Sequence, residues 1–262
     1  MKPIQYGSLF SGVGAFEEAL QDLGIPYDLA FFCEVDKYAT KAYCQAHDIE
    51  PERNLGDITQ VDLSSLPKKL DLITYGFPCQ DISVAGKGKG FEHNGEQTRS
   101  GLFYNAMDVI EATDPSIAIA ENVKNLVSKK FTEEFGIVLG SLEMAGYENH
   151  WKVLNSCDYG IPQNRQRVFI VSLKGGENLE NSLFYFEDPR PLYLCLGDIL
   201  EPIVAEKYYL SDKCISGFLA HNEKHKAKGT GFIWKVRDRG GLASTLRANG
   251  ALAPTDNTVY DR

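Results

Sequence analysis

Two residues that can do chemistry, a cysteine and a glutamate, each follow a short apolar run in the first half of the chain. Cys79 lies in the sequence GFPCQ, after the apolar run 70–75, and Glu121 lies in AENV, after the apolar run 117–120. Such runs predict buried strands, so both side chains would stand at the carboxyl ends of strands. The pair predicts a nucleophile and a proton-handling carboxylate that face one crevice.

The thiol of Cys79 is predicted to be exposed rather than packed. A buried cysteine is usually an inert packing residue, but a turn at Pro78 would direct this side chain out of the core. Although few thiols are ionised at pH 7, the thiolate is intrinsically very nucleophilic. The glycine- and lysine-rich segment 83–91 that follows is either a surface loop whose lysines attract phosphate or only a solvated loop.

A glycine turn, FSGVG at residues 10–14, stands between the first predicted strand, 4–9, and the first predicted helix, 16–23. Glycines there let the backbone approach a ligand closely, and the start of a helix favours negative or polar groups. The third glycine of the dinucleotide fingerprint GxGxxG is missing, since Ala15 and Phe16 follow. The turn therefore suits a nucleoside cofactor, unless it is only a turn before a helix.

Acidic residues follow the next predicted strands. Glu34 ends the strand 29–33, a position from which an acid commonly binds ribose hydroxyls. Alternatively, Glu34 or Asp36 only caps the next helix, which fits Asp36 well. Asp57 is expected after a short third strand, where it would reach an adenine amino group or serve only as a turn aspartate.

Polar side chains near the candidate catalytic pair are predicted to support it. Asn122 would hydrogen-bond the turn that carries Cys79 and so hold nucleophile and carboxylate in register. Arg165 and Arg167 are two positions apart on an extended segment, so they share one face. They either clamp a polar group or pair with acids of the sheet. Together with the glycine turn, these residues predict an enzyme that attacks a nucleobase.

Apolar runs alternate with helical patterns up to about residue 175. They predict strands at 4–9, 29–33, 70–75, 117–120 and 168–173, and helices at 16–23, 37–47, 102–112 and 135–145. This alternation predicts an α/β fold with a doubly wound, mostly parallel sheet. The pattern then loosens, which predicts a catalytic, cofactor-binding domain at 1–180 and a smaller, irregular region at 181–262.

The charge of the chain is unevenly distributed. Its net charge of −9 argues against a general nucleic-acid coat. Residues 1–150 carry 12 basic against 23 acidic side chains, whereas residues 207–262 carry 10 against 5, a balance of +5. A phosphate-facing surface is therefore expected in the last fifth of the chain.

The remaining composition predicts a cytoplasmic protein without a metal site. No apolar run approaches the roughly 18 residues of a transmembrane helix, and the N-terminus has no signal-peptide pattern. The six cysteines lack close pairing or metal-type spacing, as expected in a reducing compartment. His221 and His225 are four apart, but with no third ligand evident a solvated, lysine-rich helix is the better interpretation.

The ordered set of these motifs resembles the DNA (cytosine-5)-methyltransferase family, especially its small bacterial and phage modification enzymes. The matching positions are 10–14, Glu34, 56–58, 77–80, 121–123 and 163–167, which span roughly the first 175 residues. The resemblance implies a catalytic domain that binds S-adenosylmethionine, a target recognition domain after it, and double-stranded DNA as the partner. It also implies a bacterial cell or a phage-infected host, with a role in restriction-modification.

The resemblance further implies a role for each matching residue. Cys79 would attack C6 of a flipped cytosine, and Glu121 would hydrogen-bond N3 and the exocyclic amine. Asn122, Arg165 and Arg167 would support the site, the arginines by holding the base oxygen. The cofactor-binding positions would be Phe10, Gly12, Val13, Gly14, Glu34, Val35, Asp57, Ile58, Pro78 and Leu102. The DNA-binding positions would be Gln80, Ser83, Lys87, Lys89, Arg99, Thr245 and Leu246.

Within the implied cofactor pocket, each segment would meet a different part of the ligand. Phe10 would pack on the adenine, and residues 57–58 would read its edge. Glu34 would hold the ribose. Gly12 and Gly14 would let the backbone meet the methionine part.

Two departures from the family pattern stand out. Ser8 occupies a position at which many members have Asp. The sequence also reaches Arg262 without the Pro-Arg-Glu segment and the late Gly-Asn-Ser turn that complete the cofactor pocket in the family. We therefore expect a truncated chain or one half of a split enzyme whose partner polypeptide supplies the rest, with weakened cofactor binding by the chain alone.

Two alternatives stay open at this point. A tRNA cytosine methyltransferase would have the same fold, although the lysine-rich end and the Thr-Leu turn at 244–246 favour DNA. A non-catalytic binding or regulatory subunit would also retain the fold and motifs. A nicotinamide oxidoreductase is disfavoured, because the third glycine is missing and Cys79 and Glu121 would have no role.

Overall fold

The structure, a computed structural model, divides the chain into two units. It describes residues 2–78, 91–93, 96–98, 100–175, 184–229, 233–246 and 257–260. The first unit comprises Met1–Val153 and Arg167–Phe186, and the second comprises Leu154–Gln166 and Glu187–Arg262. The polypeptide therefore passes between the units three times. As functional domains, the predicted ranges 1–180 and 181–262 remain a prediction.

Regular secondary structure is concentrated in the first unit. The strands are β1 (Ile4–Leu9), β2 (Tyr27–Cys33), β3 (Leu72–Tyr75), β4 (Glu92–His93), β5 (Glu96–Gln97), β6 (Ile117–Val123), β7 (Tyr147–Asn155), β8 (Gln163–Asn164), β9 (Gln166–Lys174), β10 (Val236–Arg237), β11 (Ala243–Ser244) and β12 (Thr258–Val259). The α-helices are α1 (Ala15–Asp22), α2 (Lys37–His47), α3 (Phe103–Thr113), α4 (Thr132–Met144) and α5 (Asp212–Lys228). Single-turn 3-10 helices lie at Pro51–Arg53, Ile58–Gln60, Leu63–Ser65, Ser100–Leu102, Lys124–Val127, Lys129–Phe131, Ser156–Tyr159, Leu196–Ile199 and Glu206–Tyr208.

The first unit is built on a six-stranded sheet with the order β2-β1-β3-β6-β9-β7. The pairs β1–β2, β1–β3 and β3–β6 are parallel, and β9 runs antiparallel to β6. Parallel neighbours require crossover connections, and helices α1 to α3 supply the chain for them. The prediction of a doubly wound, mostly parallel α/β sheet is confirmed.

Buried apolar layers cover both faces of the sheet, which explains the continuously apolar strands. On β3, Leu72 faces the layer that contains Tyr43 of α2, whereas Ile73 faces the layer that contains Ile110 of α3 and Val138 of α4. Helices therefore pack on both faces.

Two details of the sheet differ from the sequence-based expectation. The polar start of β7, Glu148 to His150, gave no apolar run, and this edge strand was missed. The short strand expected before Asp57 was wrong. That segment contains the 3-10 turn Pro51–Arg53 and one isolated bridge between Phe32 and Asn54, since Pro51 lacks the N–H that a strand ladder needs.

A buried polar cluster lies beneath the start of α1. Glu17 is 1% exposed, and its Oε1 accepts hydrogen bonds from the hydroxyls of Tyr6 (3.0 Å) and Tyr43 (2.8 Å). The Tyr6 hydroxyl also lies 2.5 Å from Oγ1 of Thr74 on β3. Burial, and then the nearby Glu17 carboxyl, raises the pKa of Tyr6 well above its usual value, so the hydroxyl stays a neutral donor. The cluster joins α1 to β1, β3 and α2.

The second unit has little regular structure apart from α5. This helix begins after Ser211, whose Oγ accepts the N–H of Cys214 (3.3 Å), and ends at Gly229 in the left-handed conformation. Asn222 on α5 bonds both the backbone N–H and the carbonyl of Trp234 (2.8 and 2.7 Å). Across the described parts of both units, no helix combines the length and apolarity needed to cross a membrane.

Removing the Tyr43 hydroxyl tests the buried cluster. We expect Tyr43→Phe to lower the free energy of unfolding by about 1.5–3 kcal/mol, because a buried carboxyl loses a hydrogen bond that water cannot replace. Tyr38→Phe is the matched control on the same helix, where the ring is exposed, and should change stability by less than about 0.5 kcal/mol. Denaturant titration of both variants measures the difference; equal stabilities would show that the Tyr43 bond contributes nothing.

Candidate functional site

The carboxyl end of β3 lies beside the middle of β6 in the first unit, because β6 continues to Val123, past the predicted strand end at residue 120. The parallel register pairs Tyr75, the last residue of β3, with Ala120 of β6. The next residues, Gly76 and Glu121, are therefore neighbours. A Cβ placed on Gly76 would lie 3.9 Å from Oε2 of Glu121, so the carboxylate stands beside the segment that leads to Cys79.

An arginine on the neighbouring strand holds this carboxylate. In the antiparallel pair of β6 and β9, Arg167 is opposite Val123, and residues two apart share a face. The Nε of Arg167 lies 2.9 Å from Oε1 of Glu121, and the two side chains are only 18% and 27% exposed. Partial burial strengthens this ion pair relative to one in bulk water. The sequence left two options for Arg167, and pairing with an acid of the sheet is the contact present.

Asn122 bonds to the segment that follows β3. Its side chain is 3% exposed, and Nδ2 donates to the carbonyl of Phe77 over 3.1 Å. The expected link between Asn122 and the turn before Cys79 is thus present. The ring of Phe77 also packs edge-on against Phe91, with 5.9 Å between centroids, and against Phe103. These contacts fix the chain up to Pro78, which is partly buried.

Several predicted residues lie outside the described part of the chain. They are Cys79, Gln80, Ser83, Lys87, Lys89 and Arg99. Among the described cysteines, Cys33 lies nearest to the predicted pocket, at the end of β2, and is 2% exposed. Burial, with the Asp57 and Glu34 carboxylates, raises the pKa of the Cys33 thiol to about 12. Cys33 therefore remains protonated at neutral pH and is no nucleophile.

The glycine turn between β1 and α1 has an unusual backbone. Phe10 has a φ of +54°, a left-handed conformation that costs an L-residue about 1–2 kcal/mol. Gly12 and Gly14 also have positive φ values, +57° and +88°. Among the residues that the structure describes, no atom lies within 4 Å of the place where a Gly12 Cβ would stand. The turn therefore borders open space at Gly12, as a ligand cradle requires.

His47 packs against the other glycine of the turn. A Cβ on Gly14 would lie 2.1 Å from Nε2 of His47. That nitrogen donates to the carbonyl of Val13 (3.0 Å), while Nδ1 accepts from Nε2 of Gln21 (3.4 Å). The imidazole, 8% exposed, thus connects the end of α2 to the turn.

Glu34 bonds directly to the glycine turn. Its Oε2 accepts the backbone N–H of Gly12 (2.9 Å), and its Oε1 accepts the N–H of Asp36 (2.7 Å). Asp36 is the residue that caps α2, accepting the N–H groups of Tyr38 and Ala39. Of the two residues that the sequence offered as the cap of the next helix, Asp36 is the cap, and Glu34 bonds to the glycine turn instead.

The other described residues predicted to bind the cofactor also lie in the first unit. Asp57 is exposed, and its Oδ1 accepts the N–H and hydroxyl of Thr59 (3.0 and 2.9 Å), as a turn aspartate does. Ile58 is buried in the core, and Leu102 is partly buried against it. Val13 and Val35 are exposed.

Three predicted residues fall in the second unit. Arg165 donates its backbone N–H to Oδ1 of Asn155 (2.9 Å). Thr245 follows β11, which pairs with β8, and its hydroxyl donates to the carbonyl of Asn164 (3.0 Å). Leu246 is exposed. The segment before Arg165 and the Thr-Leu turn are therefore held together by hydrogen bonds.

Two site residues escaped the sequence analysis, His47 and Asn54. The histidine belongs to no motif. Asn54 belongs to no motif, and its bonds to Glu34 and Gly56 join residues that are far apart in the sequence. In the described residues, no group of three or more His, Cys, Asp or Glu side chains is arranged to hold a metal ion.

A model of the C-5 cytosine-specific DNA methylase family matches residues 4–259. The chain belongs to this family. An orphan methyltransferase of Bacillus phage rho11s, M.Rho11sI, is 35% identical over 260 residues, covering 89% of this chain and 50% of the relative. The type II methyltransferase M.NgoBI of Neisseria gonorrhoeae is 36% identical over 250 residues, covering 93% and 74%. The chain thus spans only half the length of the phage member of the family.

Solved methyltransferase structures share the fold. The Dnmt2 methyltransferase of S. pombe superimposes with a TM-score of 0.63 at 17% identity, covering 93% of this chain and 70% of that one. The Entamoeba histolytica methyltransferase EhMeth gives 0.65 at 18% identity, covering 84% and 67%. At such identities the likeness concerns the fold alone, and it agrees with the sheet described above for this family member.

Gly14→Ala tests the contact between the glycine turn and His47. We expect it to lower the free energy of unfolding by about 2–5 kcal/mol, from a left-handed alanine and an overpacked imidazole. Gly24→Ala is the matched control, since Gly24 has a φ of +64° but nothing within 4 Å of its Cβ position, and should cost only about 1–2 kcal/mol. Urea titration of both variants gives the difference in unfolding free energy. Equal losses of stability would mean that His47 moves aside at no cost in free energy.

Proposed function

We propose that this chain transfers a methyl group from S-adenosylmethionine to C5 of a flipped-out cytosine in double-stranded DNA. The observation that carries the proposal is the Glu121–Arg167 ion pair beside residues 76–78, directly before Cys79. Family membership and the methyltransferase names of the relatives support the same reaction.

The cofactor would lie against the glycine turn. Gly12 borders open space, and Glu34 is fixed by the backbone of that turn while each of its oxygens keeps capacity for a further hydrogen bond. We assign the ribose hydroxyls to Glu34 and the adenine to the surroundings of Phe10, Asp57 and Ile58. When bound, S-adenosylmethionine supplies an electrophilic methyl group.

Cys79 would act as the nucleophile. Its thiolate sulfur forms a bond to C6 of the cytosine, and the electron pair of the C5–C6 double bond moves to C5. C5 would then use this pair to form its bond to the methyl carbon, while the bond from that carbon to the sulfonium sulfur breaks and its electron pair stays on the sulfur, which becomes a neutral thioether. A solvent water would take the C5 proton; the electron pair of that C–H bond rebuilds the C5–C6 double bond, and the C6–sulfur bond breaks with its pair on sulfur, which regenerates the thiolate.

Glu121 would keep negative charge off the ring while the sulfur adds. The exocyclic amine donates a hydrogen bond to its carboxyl group, and a proton held between the carboxyl group and N3 bonds the ring nitrogen; both contacts stabilise the transition state at the base. Arg167 holds the carboxylate in place, and we assign the base oxygen to Arg167 and Arg165. Asn122 keeps the segment before Cys79 in register with Glu121.

The target base must leave the duplex before the thiol can reach C6. We therefore assign DNA contacts to residues near the nucleophile in the sequence and to the basic C-terminal part of the chain. The first group comprises Gln80, Ser83, Lys87, Lys89 and Arg99. Thr245 and Leu246 belong to the second, where an exposed Leu246 suits contact with a groove.

Methyl transfer from labelled S-adenosylmethionine to unmethylated, mixed-sequence DNA tests the proposal. We expect label at C5 of cytosine with the 262-residue chain, and a loss of at least about a thousandfold for Cys79→Ser, which removes the nucleophile. Cys214→Ser is the control, because Cys214 is exposed on α5 in the second unit, and should leave the rate unchanged.

Three results would contradict this proposal. Cys79→Ser could methylate DNA at the wild-type rate, which excludes the covalent route. Label in tRNA but not in DNA would favour the RNA enzyme on the same fold. A chain that binds the cofactor but labels neither would not act alone, and restoration by a C-terminal segment taken from a longer relative would then identify a partner-requiring enzyme.

A further inference from the structure

We infer that Asn54 is a positioning residue of the cofactor pocket, holding its ribose-binding and adenine-binding segments in one arrangement without touching the ligand. The inference rests on the proposed function, because the ligand it concerns is S-adenosylmethionine. It adds a residue that no motif contains.

The amide of Asn54 uses its full hydrogen-bonding capacity. Oδ1 accepts the backbone N–H groups of Glu34 (3.1 Å) and Gly56 (2.9 Å). Nδ2 donates to the carbonyl of Glu34 (2.9 Å) and to Oγ1 of Thr40 (3.2 Å). An amide offers two donors and two principal acceptor sites, so each is matched. One side chain thus holds both main-chain polar groups of Glu34.

These bonds continue into the glycine turn. The carboxylate of Glu34 accepts the N–H of Gly12, so hydrogen bonds run from Gly12 through Glu34 and Asn54 to Gly56. Gly56 is followed directly by Asp57 and Ile58. Three segments proposed to meet the methionine, ribose and adenine parts of the ligand are therefore joined, and Asn54 is the member between the last two.

The backbone at Asn54 explains why a side chain, and not a strand ladder, connects Glu34 to Gly56. Phe32 and Asn54 form one isolated parallel bridge, in which the N–H of Leu55 donates to the carbonyl of Phe32 (2.8 Å). Regular pairing stops there, so Glu34 and Gly56 have no strand ladder between them. The amide replaces it. Without the amide, the backbone N–H and C=O of Glu34 would depend on water for hydrogen bonds. The backbone that positions the Glu34 carboxylate would then no longer be held in place.

Binding of two ligands by Asn54 variants tests the inference. The probes are S-adenosylmethionine and 5′-methylthioadenosine, which has the adenine and ribose but lacks the amino acid part. We expect Asn54→Ala to raise the Kd of both by a similar factor, about ten to a hundred, because the disturbed segments face the nucleoside. Asn54→Asp should give a comparable loss, since it keeps size and acceptors but turns a carboxylate oxygen toward the Glu34 carbonyl.

Asn149→Ala is the matched control. Asn149 is also partly buried, donates from Nδ2 to the carbonyl of Leu139 (3.2 Å) and accepts from Oγ of Ser172 (2.6 Å). It lies on β7 at the far edge of the sheet from β2. Its loss should lower stability while both Kd values stay within about twofold of wild type. Calorimetric titration at a temperature at which every variant is folded separates binding from stability.

The outcomes separate this inference from the proposed function. If the wild-type chain binds neither ligand, the proposed function fails. If the wild type binds both and Asn54→Ala and Asn54→Asp bind both equally well, the proposed function stands and the role of Asn54 is refuted. A loss confined to S-adenosylmethionine would also refute it, because the disturbance would then lie at the amino acid part. An equal loss in Asn149→Ala would reduce Asn54 to a general structural residue.

Discussion

The parallel pairing of β3 with β6 is the constraint on which the candidate site depends. Its register, from Leu72 opposite Ile117 to Tyr75 opposite Ala120, sets which residue of β6 lies beside the end of β3. Glu121, the next residue of β6, thus stands beside Gly76, the first residue after β3. A shift of one residue would turn Glu121 to the other face. Apolar layers on both sides of β3 oppose such a shift, because every buried side chain would move with it.

Much of this arrangement could be predicted from local sequence. The strand at residues 4–9 and the helix at 37–47 have the predicted bounds. Both were predicted from patterns among residues close together in the sequence, a continuous apolar run and helical spacing. The glycine turn followed from its place between a strand and a helix. The link between Asn122 and the segment before Cys79 followed from expecting two strands side by side.

The parts that could not be predicted depend on partners distant in the sequence. Asn54 and His47 bond to backbone groups 20 and 34 residues away, and no spacing rule encodes such bonds. The edge strand β7 was not predicted because polar residues interrupt its apolar ones, so no continuous apolar run marks it. The prediction of a strand before Asp57 was wrong. The segment forms a single bridge at Asn54, three residues after Pro51, and a sequence pattern does not show that pairing stops after one bridge.

The three passages of the chain between the units limit how the protein can be divided. Residues 154–166 connect two strands of the central sheet, yet they fold with the second unit, where β8 pairs with β11. The second unit is therefore not a continuous cassette that recombination can exchange at one junction. Any replacement for the residues after Phe186 must supply a strand that pairs with β8, which is encoded before β9. A change in the later part of the gene is thus limited by the short β8 segment in its earlier part.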